Sequence, residues 1–149
     1  MNKLLTRLWR MIKPLQWRLL WLIHAKFMCG ITAVVRTDDG QVLLLRHRLW
    51  PADRQWGFPT GYANKGETHE DTIAREVREE TGLTVKAGRL LKVNSGYKLR
   101  IEIFYEAVLV GGLDTLALDG KEVIEARLFA PDALPEAMPE AHRELVRPA

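Results

Sequence analysis

Three glutamates that lie close together in the sequence could bind a metal ion. Glu76, Glu79 and Glu80 stand in the run REVREE. On an α-helix, residues three and four positions apart are neighbours, so Glu76 would face both of the other carboxylates. Like charges at this spacing repel each other, and a hard divalent cation would remove that penalty. The spacing predicts a patch that holds Mg2+, or Mn2+, through carboxylate oxygens; the alternative is a solvated acidic helix face.

The helix that would carry these glutamates has sequence signals at both ends. Thr68 is followed three residues later by Asp71, which is typical of an acidic N-terminal cap. Gly82 stands where a glycine commonly ends a helix. Ile73 and Val77 provide an apolar face toward the core. The sequence therefore predicts one well-capped helix between these two ends.

Strand-like segments precede and follow this helix. Two of them are separated by the turn sequence TDDG and predict a β-hairpin, and a stretch rich in proline and glycine, residues 48–61, predicts an irregular loop. The predicted strands are residues 29–36, 41–47, 83–99, 100–112 and 125–130. Strands on both sides of one central helix predict an α/β (α+β) fold built as a mixed sandwich. In the tail, prolines leave room only for short helices, such as one around residues 140–146.

The residues around the three glutamates resemble the signature of the Nudix hydrolase family. Every defined position of that signature is matched, by Gly61, Glu67, Arg75, Glu76, Val77, Glu79, Glu80, Gly82 and Leu83. At ordinary residue usage the chance of such a match is on the order of one in ten million per chain. The lead-in WGFPTG also resembles the family, although Thr60 and Asn64 depart from its usual residues. The resemblance implies a Nudix-type α/β/α sandwich over residues 28–149. The N-terminal amphipathic helical segment, residues 1–27, lies outside the part that resembles the family.

The same resemblance implies a chemistry and a role for each matched residue. It implies Mg2+-dependent hydrolysis of a nucleoside diphosphate linked to another group, with Glu76, Glu79 and Glu80 as metal ligands. Arg75 would orient a glutamate, with a surface ion pair to Glu79 as the alternative, and Glu122 would supply a further carboxylate as ligand or general base. The structural positions of the signature would be Gly61, Glu67 and Gly82. A non-catalytic nucleotide-binding or regulatory module with the same fold is the alternative, and retention of all three glutamates argues against it.

Substrate recognition depends on residues outside the signature. Arg46 and Arg48 end a predicted strand and could bind phosphate, while Trp56 and Tyr97 could stack on a base; ordinary packing is the alternative for both aromatic residues. No proline occurs between Pro59 and Pro131, so the downstream proline of the ADP-ribose subgroup is absent, and the patterns of the NADH and coenzyme A subgroups are absent too. The remaining substrates are a nucleoside triphosphate, a dinucleoside polyphosphate, or a nucleotide linked to a sugar or alcohol.

The distribution of charge sets the N-terminal segment apart. Residues 1–37 contain seven basic residues and no acidic one, whereas residues 38–149 carry a net charge of −4. The overall charge of +3 therefore gives little support for specific nucleic-acid binding by the domain. The lone cysteine, Cys29, excludes an internal disulfide, and we expect a cytoplasmic protein because nothing in the sequence demands an oxidising compartment.

Apolar residues recur at helical spacing between positions 2 and 26, which predicts an amphipathic helix interrupted at Pro14. Arg18, His24 and Lys26 interrupt the apolar stretch, which is far shorter than the roughly 20 residues that cross a bilayer. We also expect no signal peptide, since no small-residue cleavage site follows. Two interpretations stay open: peripheral contact with the inner membrane surface, or packing against the domain or against a second subunit in a homodimer.

Overall fold

The strand-like segments on both sides of the signature helix form one seven-stranded sheet in the computed structural model, which describes residues 13–118 and 120–147. The helices are α1 (Lys13–Ile23), α2 (His69–Thr81) and α3 (Glu140–Arg143). The strands are β1 (Met28–Arg36), β2 (Val42–His47), β3 (Trp56–Gly57), β4 (Thr60–Tyr62), β5 (Thr84–Tyr97), β6 (Arg100–Val110) and β7 (Val123–Phe129). A single 3-10 turn, Ala52–Arg54, is described between β2 and β3.

The sheet is mixed, as predicted. Its order is β3-β2-β1-β6-β5, with β4 also paired to β1 and β7 also paired to β2. β1 and β6 run parallel over nine residue pairs, and the other described pairs are antiparallel. β5 and β6 are joined by a two-residue turn, in which Lys98 and Leu99 both have positive φ angles of 43° and 56°. Positive φ at both central residues is the geometry that matches the twist of a tight hairpin.

Hydrophobic clusters on the two faces of the sheet make three layers. The first cluster lies under α2 and joins Ile73 and Val77 to buried residues of β1, β2 and β6. The second lies on the other face, where Phe58 packs with Met138 and Val146 of the C-terminal segment. Helix α2 and the C-terminal segment therefore cover opposite faces, which confirms the predicted α/β/α sandwich.

The stretch predicted as an irregular loop contains more order than its prolines suggested. β3 pairs with β2, and β4 pairs with β1 at Gly30, Ile31 and Thr32. These short strands arise because the neighbouring strands offer unpaired backbone groups, a long-range effect that local composition does not reveal. This pairing positions the start of the loop that leads into α2, because β4 ends at Tyr62 and α2 begins at His69.

Helix α1 covers the second half of the N-terminal stretch predicted to be helical. The predicted helix before Pro14 falls on residues 1–12, which lie outside the described residues. Pro14 itself lies in the first turn of α1, where a proline is tolerated because its missing N–H has no partner within the helix. The large apolar side chains of α1 are exposed. Within the described part of the chain, no helix is long and apolar enough to span a membrane.

Candidate active site

Helix α2 has the predicted caps at both ends. The Thr68 hydroxyl accepts a hydrogen bond from the Asp71 backbone N–H at 3.1 Å and donates to the Asp71 carboxylate at 2.7 Å. At the other end, Gly82 adopts a φ of 72°, and its N–H donates to the Arg78 carbonyl at 2.9 Å. Ile73 and Val77 are buried. The caps and the buried face fix which side of α2 carries the glutamates.

Arg75 lies at the centre of the signature residues. Its Nε and Nη2 donate to the two carboxylate oxygens of Glu67 at 2.7 and 3.0 Å, which is a bidentate pairing. Nη2 also donates to the backbone carbonyl of Tyr62, at the end of β4, at 3.0 Å. A single side chain thus connects α2 to the preceding loop and to the sheet.

The third nitrogen of Arg75 contacts two of the candidate metal ligands. Nη1 donates to Glu76 Oε1 at 2.7 Å and to Glu79 Oε2 at 3.3 Å. The Glu76 side chain is only 17% exposed, whereas that of Glu79 is 61% exposed. Arg75 therefore makes both contacts that the sequence suggested, one that orients a half-buried glutamate and one that forms an ion pair at the surface.

Glu67 is held by more than its pairing with Arg75. Its Oε2 accepts hydrogen bonds from the Asn64 backbone N–H and from the Thr72 hydroxyl, both at 3.0 Å. The bonds from Arg75, Asn64 and Thr72 lower the pKa of Glu67 to about 2. The same pairing with Glu67, followed by the contact with Glu76, raises the pKa of Arg75 above its ordinary value. Glu67 is therefore a fixed anion that closes the loop before α2.

Gly61 makes room for the Glu76 carboxylate. A Cβ atom at Gly61 would overlap that carboxylate, so any side chain there would displace it. Glu80, one turn from Glu76, is half-buried, and its Oε2 atom is fully buried. Glu76 and Glu80 thus approach the interior of the domain, whereas Glu79 stays near the solvent.

The expected patch of three crowded carboxylates is not present as a ready ligand group. Among residues 13–118 and 120–147, no three His, Cys, Asp or Glu side chains are arranged so that they could hold a metal ion. Helical spacing does place Glu76 and Glu79 side by side, but both turn to the Arg75 guanidinium. Its positive charge offsets the repulsion between them, which is the physical reason for the difference.

The two strand-end arginines have protein partners. Arg46 donates to the Gln55 side chain at 3.0 Å and lies 3.6 Å from a carboxylate oxygen of Glu125. Arg48 donates through its guanidinium to the carbonyls of Gly120 and Lys121, at 2.8 and 3.0 Å. These contacts assign Arg48 to holding the loop before β7 and Arg46 to pairing with Gln55 and Glu125.

That loop carries Glu122, the expected additional carboxylate. Glu122 is exposed, and its backbone carbonyl accepts a hydrogen bond from the Arg48 N–H at 2.8 Å. An earlier part of the same connection reaches α2, since the Ala117 N–H donates to the Thr81 carbonyl at 2.9 Å. The connection between β6 and β7 therefore runs from the end of α2 to Arg48, with Glu122 at its far end.

The two aromatic candidates have different outcomes. Trp56 packs edge to face on Phe129, with ring centres 5.1 Å apart, and joins the second hydrophobic cluster. This contact matches the packing alternative for Trp56. The side chain of Tyr97 lies outside the described residues.

The sequence does not predict the pairing of Tyr62 with Arg100. The Arg100 guanidinium lies 5.2 Å from the centre of the Tyr62 ring and donates to the Tyr62 hydroxyl at 3.1 Å. Space for the guanidinium exists because Gly30, between them on β1, has no side chain. The Tyr62 carbonyl is the one that Arg75 contacts, so this pair borders the signature residues. No local signal could have found it, since 38 residues separate Tyr62 from Arg100.

Comparison with known proteins establishes the family. The NUDIX domain profile matches residues 26–148, most of the chain, so this protein belongs to the NUDIX domain family. The resemblance inferred from the signature is thereby confirmed. A crystal structure of a NUDIX hydrolase from Nitrosomonas europaea superposes with a TM-score of 0.71 at 23% identity, over 83% of this chain and 69% of that one. This likeness supports the fold.

Two curated relatives are similar over part of their length. ADP-ribose pyrophosphatase from Methanocaldococcus jannaschii is 32% identical over 105 residues, which is 66% of this chain and 59% of the relative. Nudix hydrolase 2 from Arabidopsis thaliana is 31% identical over 91 residues, which is 58% of this chain and 33% of the relative. The matches therefore span less than two thirds of either curated relative.

Proposed function

We propose that the protein is a Mg2+-dependent pyrophosphohydrolase that cleaves the diphosphate bond of a nucleoside diphosphate linked to another group. The observation that carries this proposal is the Arg75 network, in which one guanidinium contacts Glu67, Glu76 and Glu79 inside a complete family signature. Such a network fixes carboxylates at defined positions, as a site that acts on phosphates requires.

The side chains on this face of α2 suit a hard divalent cation. All three candidate ligands are carboxylates, the donor type that Mg2+ and Mn2+ prefer, and Gly61 leaves a space that the Glu76 carboxylate fills. Glu76, Glu79 and Glu80 would hold the ion, with Glu122 as the additional carboxylate. When bound, the ion would neutralise charge on the diphosphate and lower the pKa of an attacking water.

The protein side chains have separate roles in this proposal. Arg75 holds Glu76 in place from one side while Gly61 leaves space on the other, so the carboxylate has little freedom to turn. Glu67 keeps the loop before α2 closed through its bonds to Asn64 and Thr72. One of the α2 glutamates, or Glu122, accepts the proton of the attacking water.

The proposed substrates are a nucleoside triphosphate, a dinucleoside polyphosphate, or a nucleotide linked to a sugar or alcohol. ADP-ribose belongs in the test panel because a relative carries the name ADP-ribose pyrophosphatase, although this sequence lacks the downstream proline of that subgroup. We further propose that the reaction takes place in the cytoplasm. Light scattering of the full chain measures whether two copies form a homodimer.

The test is a substrate panel measured with Mg2+ and again with a chelator. Phosphate release, after coupling to a phosphatase, should be seen with at least one panel member and should disappear with the chelator. Glu79→Gln should lower turnover by about two orders of magnitude or more. Glu70→Gln, on the same helix but outside the signature, should retain turnover. If nucleotides bind tightly and none is cleaved, the alternative of a non-catalytic binding module replaces the proposal.

A further inference from the structure

Most side chains of helix α1 are apolar and exposed. Its large apolar residues have exposed fractions between 38% and 76%, and they are Leu15, Trp17, Leu19, Leu20, Trp21, Leu22 and Ile23. Exposed Phe27 and Met28 continue this surface to the start of β1. We call these nine side chains the α1 apolar surface. Soluble proteins rarely leave so large an apolar patch uncovered, so a covering partner is expected.

Cations accompany the α1 apolar surface. Arg18 lines a shallow groove together with Trp17, Trp21 and Leu22. The Lys26 ammonium lies 4.5 Å from the centre of the Trp21 ring and donates to the Leu22 carbonyl at 3.3 Å. The sequence of residues 1–37 adds five more basic residues and no acidic one. Apolar and cationic groups therefore occur together, with no anion in the same segment to neutralise them.

The charge distinguishes between two possible partners. A second copy that docked through its own α1 would bring together two segments that each carry +7, and the like charges would oppose association. An anionic phospholipid surface attracts lysine and arginine while its acyl region accepts leucine and isoleucine, and tryptophan favours the boundary between the two. We propose that the α1 apolar surface binds peripherally to anionic phospholipid membranes.

The length of α1 fixes how it would lie on the membrane. The helix has 11 residues, and at about 1.5 Å per residue it extends only about half of the ~30 Å hydrocarbon layer. It therefore lies along the surface, with its side chains at the boundary between headgroups and acyl chains. The NUDIX domain, which starts at residue 26, would then be held next to the membrane without entering it.

The experiment measures co-sedimentation of the full chain with vesicles. One set is phosphatidylcholine alone, and the other contains phosphatidylglycerol as well. The apolar variant is Trp17→Ser with Trp21→Ser, and its matched control is Leu49→Ser with Val93→Ser, at two exposed sites away from α1. The charge variant is Arg18→Glu with Lys26→Glu, and its matched control, Arg54→Glu with Lys86→Glu, changes the net charge by the same amount.

The wild type should sediment with the anionic vesicles, bind the neutral vesicles at least tenfold more weakly, and dissociate as salt is raised. Both α1 variants should lose at least tenfold in binding, while both controls bind like the wild type. Absence of wild-type binding to anionic vesicles would overturn the proposal, as would equal loss in variants and controls. A wild-type dimer that becomes monomeric in the tryptophan variant, without vesicle binding, would instead identify a second copy as the partner.

Discussion

Arg75 is the residue on which the arrangement of the signature depends. Its three nitrogens contact Glu67, Glu76, Glu79 and the Tyr62 carbonyl, so one side chain organises the loop, the helix and the sheet. Lysine could replace its charge but not its planar, forked geometry. Arginine at this position is therefore required for geometry as well as for charge.

Arg75→Lys should lower kcat by about 10- to 100-fold, the range seen when residues that orient metal ligands are replaced. A lysine ammonium cannot pair with both carboxylate oxygens of Glu67 and also contact Glu76 and Glu79. The KM for the nucleotide should change little, because Arg75 acts through the glutamates. Arg78→Lys, on the same helix and exposed, is the matched control, and steady-state kinetics separates the two parameters. A wild-type kcat for Arg75→Lys would contradict this positioning role.

Gly61 offers a second test at the residue scale. Gly61→Ala places a Cβ atom where the Glu76 carboxylate lies, and the carboxylate, at the end of a flexible side chain, can move away without unfolding the protein. We expect at least a tenfold loss of kcat and an almost unchanged melting temperature, measured by calorimetry.

Gly66→Ala should show the opposite pattern, in which stability falls and more activity is retained. Gly66 has a φ of 85° and no atom near its missing Cβ, so alanine there strains the backbone without touching Glu76. We expect this variant to lose about 1 kcal/mol of stability and to retain more activity than Gly61→Ala. The steric account of Gly61 is wrong if both variants lose the same amount of activity.

At the scale of elements, β2 and α3 place two histidines against aromatic side chains. His47 is buried and stacks on Trp50 with ring centres 3.9 Å apart, while His142 lies between Phe58 and Phe104 at 5.2 and 5.9 Å. Burial lowers the pKa of each histidine from 6.5 to about 4. Both are therefore neutral in the folded protein near pH 7, and His142 packs the C-terminal segment against Phe58 and Phe104.

These histidines predict a pH dependence of stability. Between pH 6.5 and pH 4 the unfolded chain binds protons that the folded chain does not, so the free energy of unfolding should fall as the pH is lowered through this window. The upper limit of the slope is about 1.4 kcal/mol per pH unit for each histidine. Denaturant titrations at several pH values measure it. His142→Phe should flatten the dependence, whereas replacing the exposed His24 should not; an equal slope in all three proteins would contradict the assignment.

The sequence predicted the elements of the site better than their pairing. Thr68 and Gly82 mark the ends of α2 through local chemistry, and Ile73 with Val77 marks its buried face. The parallel pairing of β1 with β6, and the position of Tyr62 beside Arg100, depend on contacts between distant segments that no local pattern encodes. The same holds for Arg48, whose guanidinium contacts the loop of Glu122 more than 70 residues away.

At the scale of the whole molecule, the fold divides into a packed sandwich and an exposed helix. Replacing Trp17 and Trp21 by serine should change the free energy of unfolding by less than about 0.5 kcal/mol, because both side chains are exposed. Phe58→Ala should cost about 3–5 kcal/mol, since Phe58 is fully buried in the second cluster. Chemical denaturation measures both, and a large loss in the tryptophan variant would show that α1 packs against the domain.

The central claim is that the glutamates of α2 support hydrolysis of a diphosphate bond by water. The most direct measurement is turnover in 18O-labelled water with Mg2+, with mass spectrometry of the products of the best panel substrate. The wild type should place one 18O atom on a phosphate-bearing product, Glu76→Gln should reduce that labelled product by at least 100-fold, and Glu70→Gln should not. Products without 18O, or undiminished labelling by Glu76→Gln, would contradict the account.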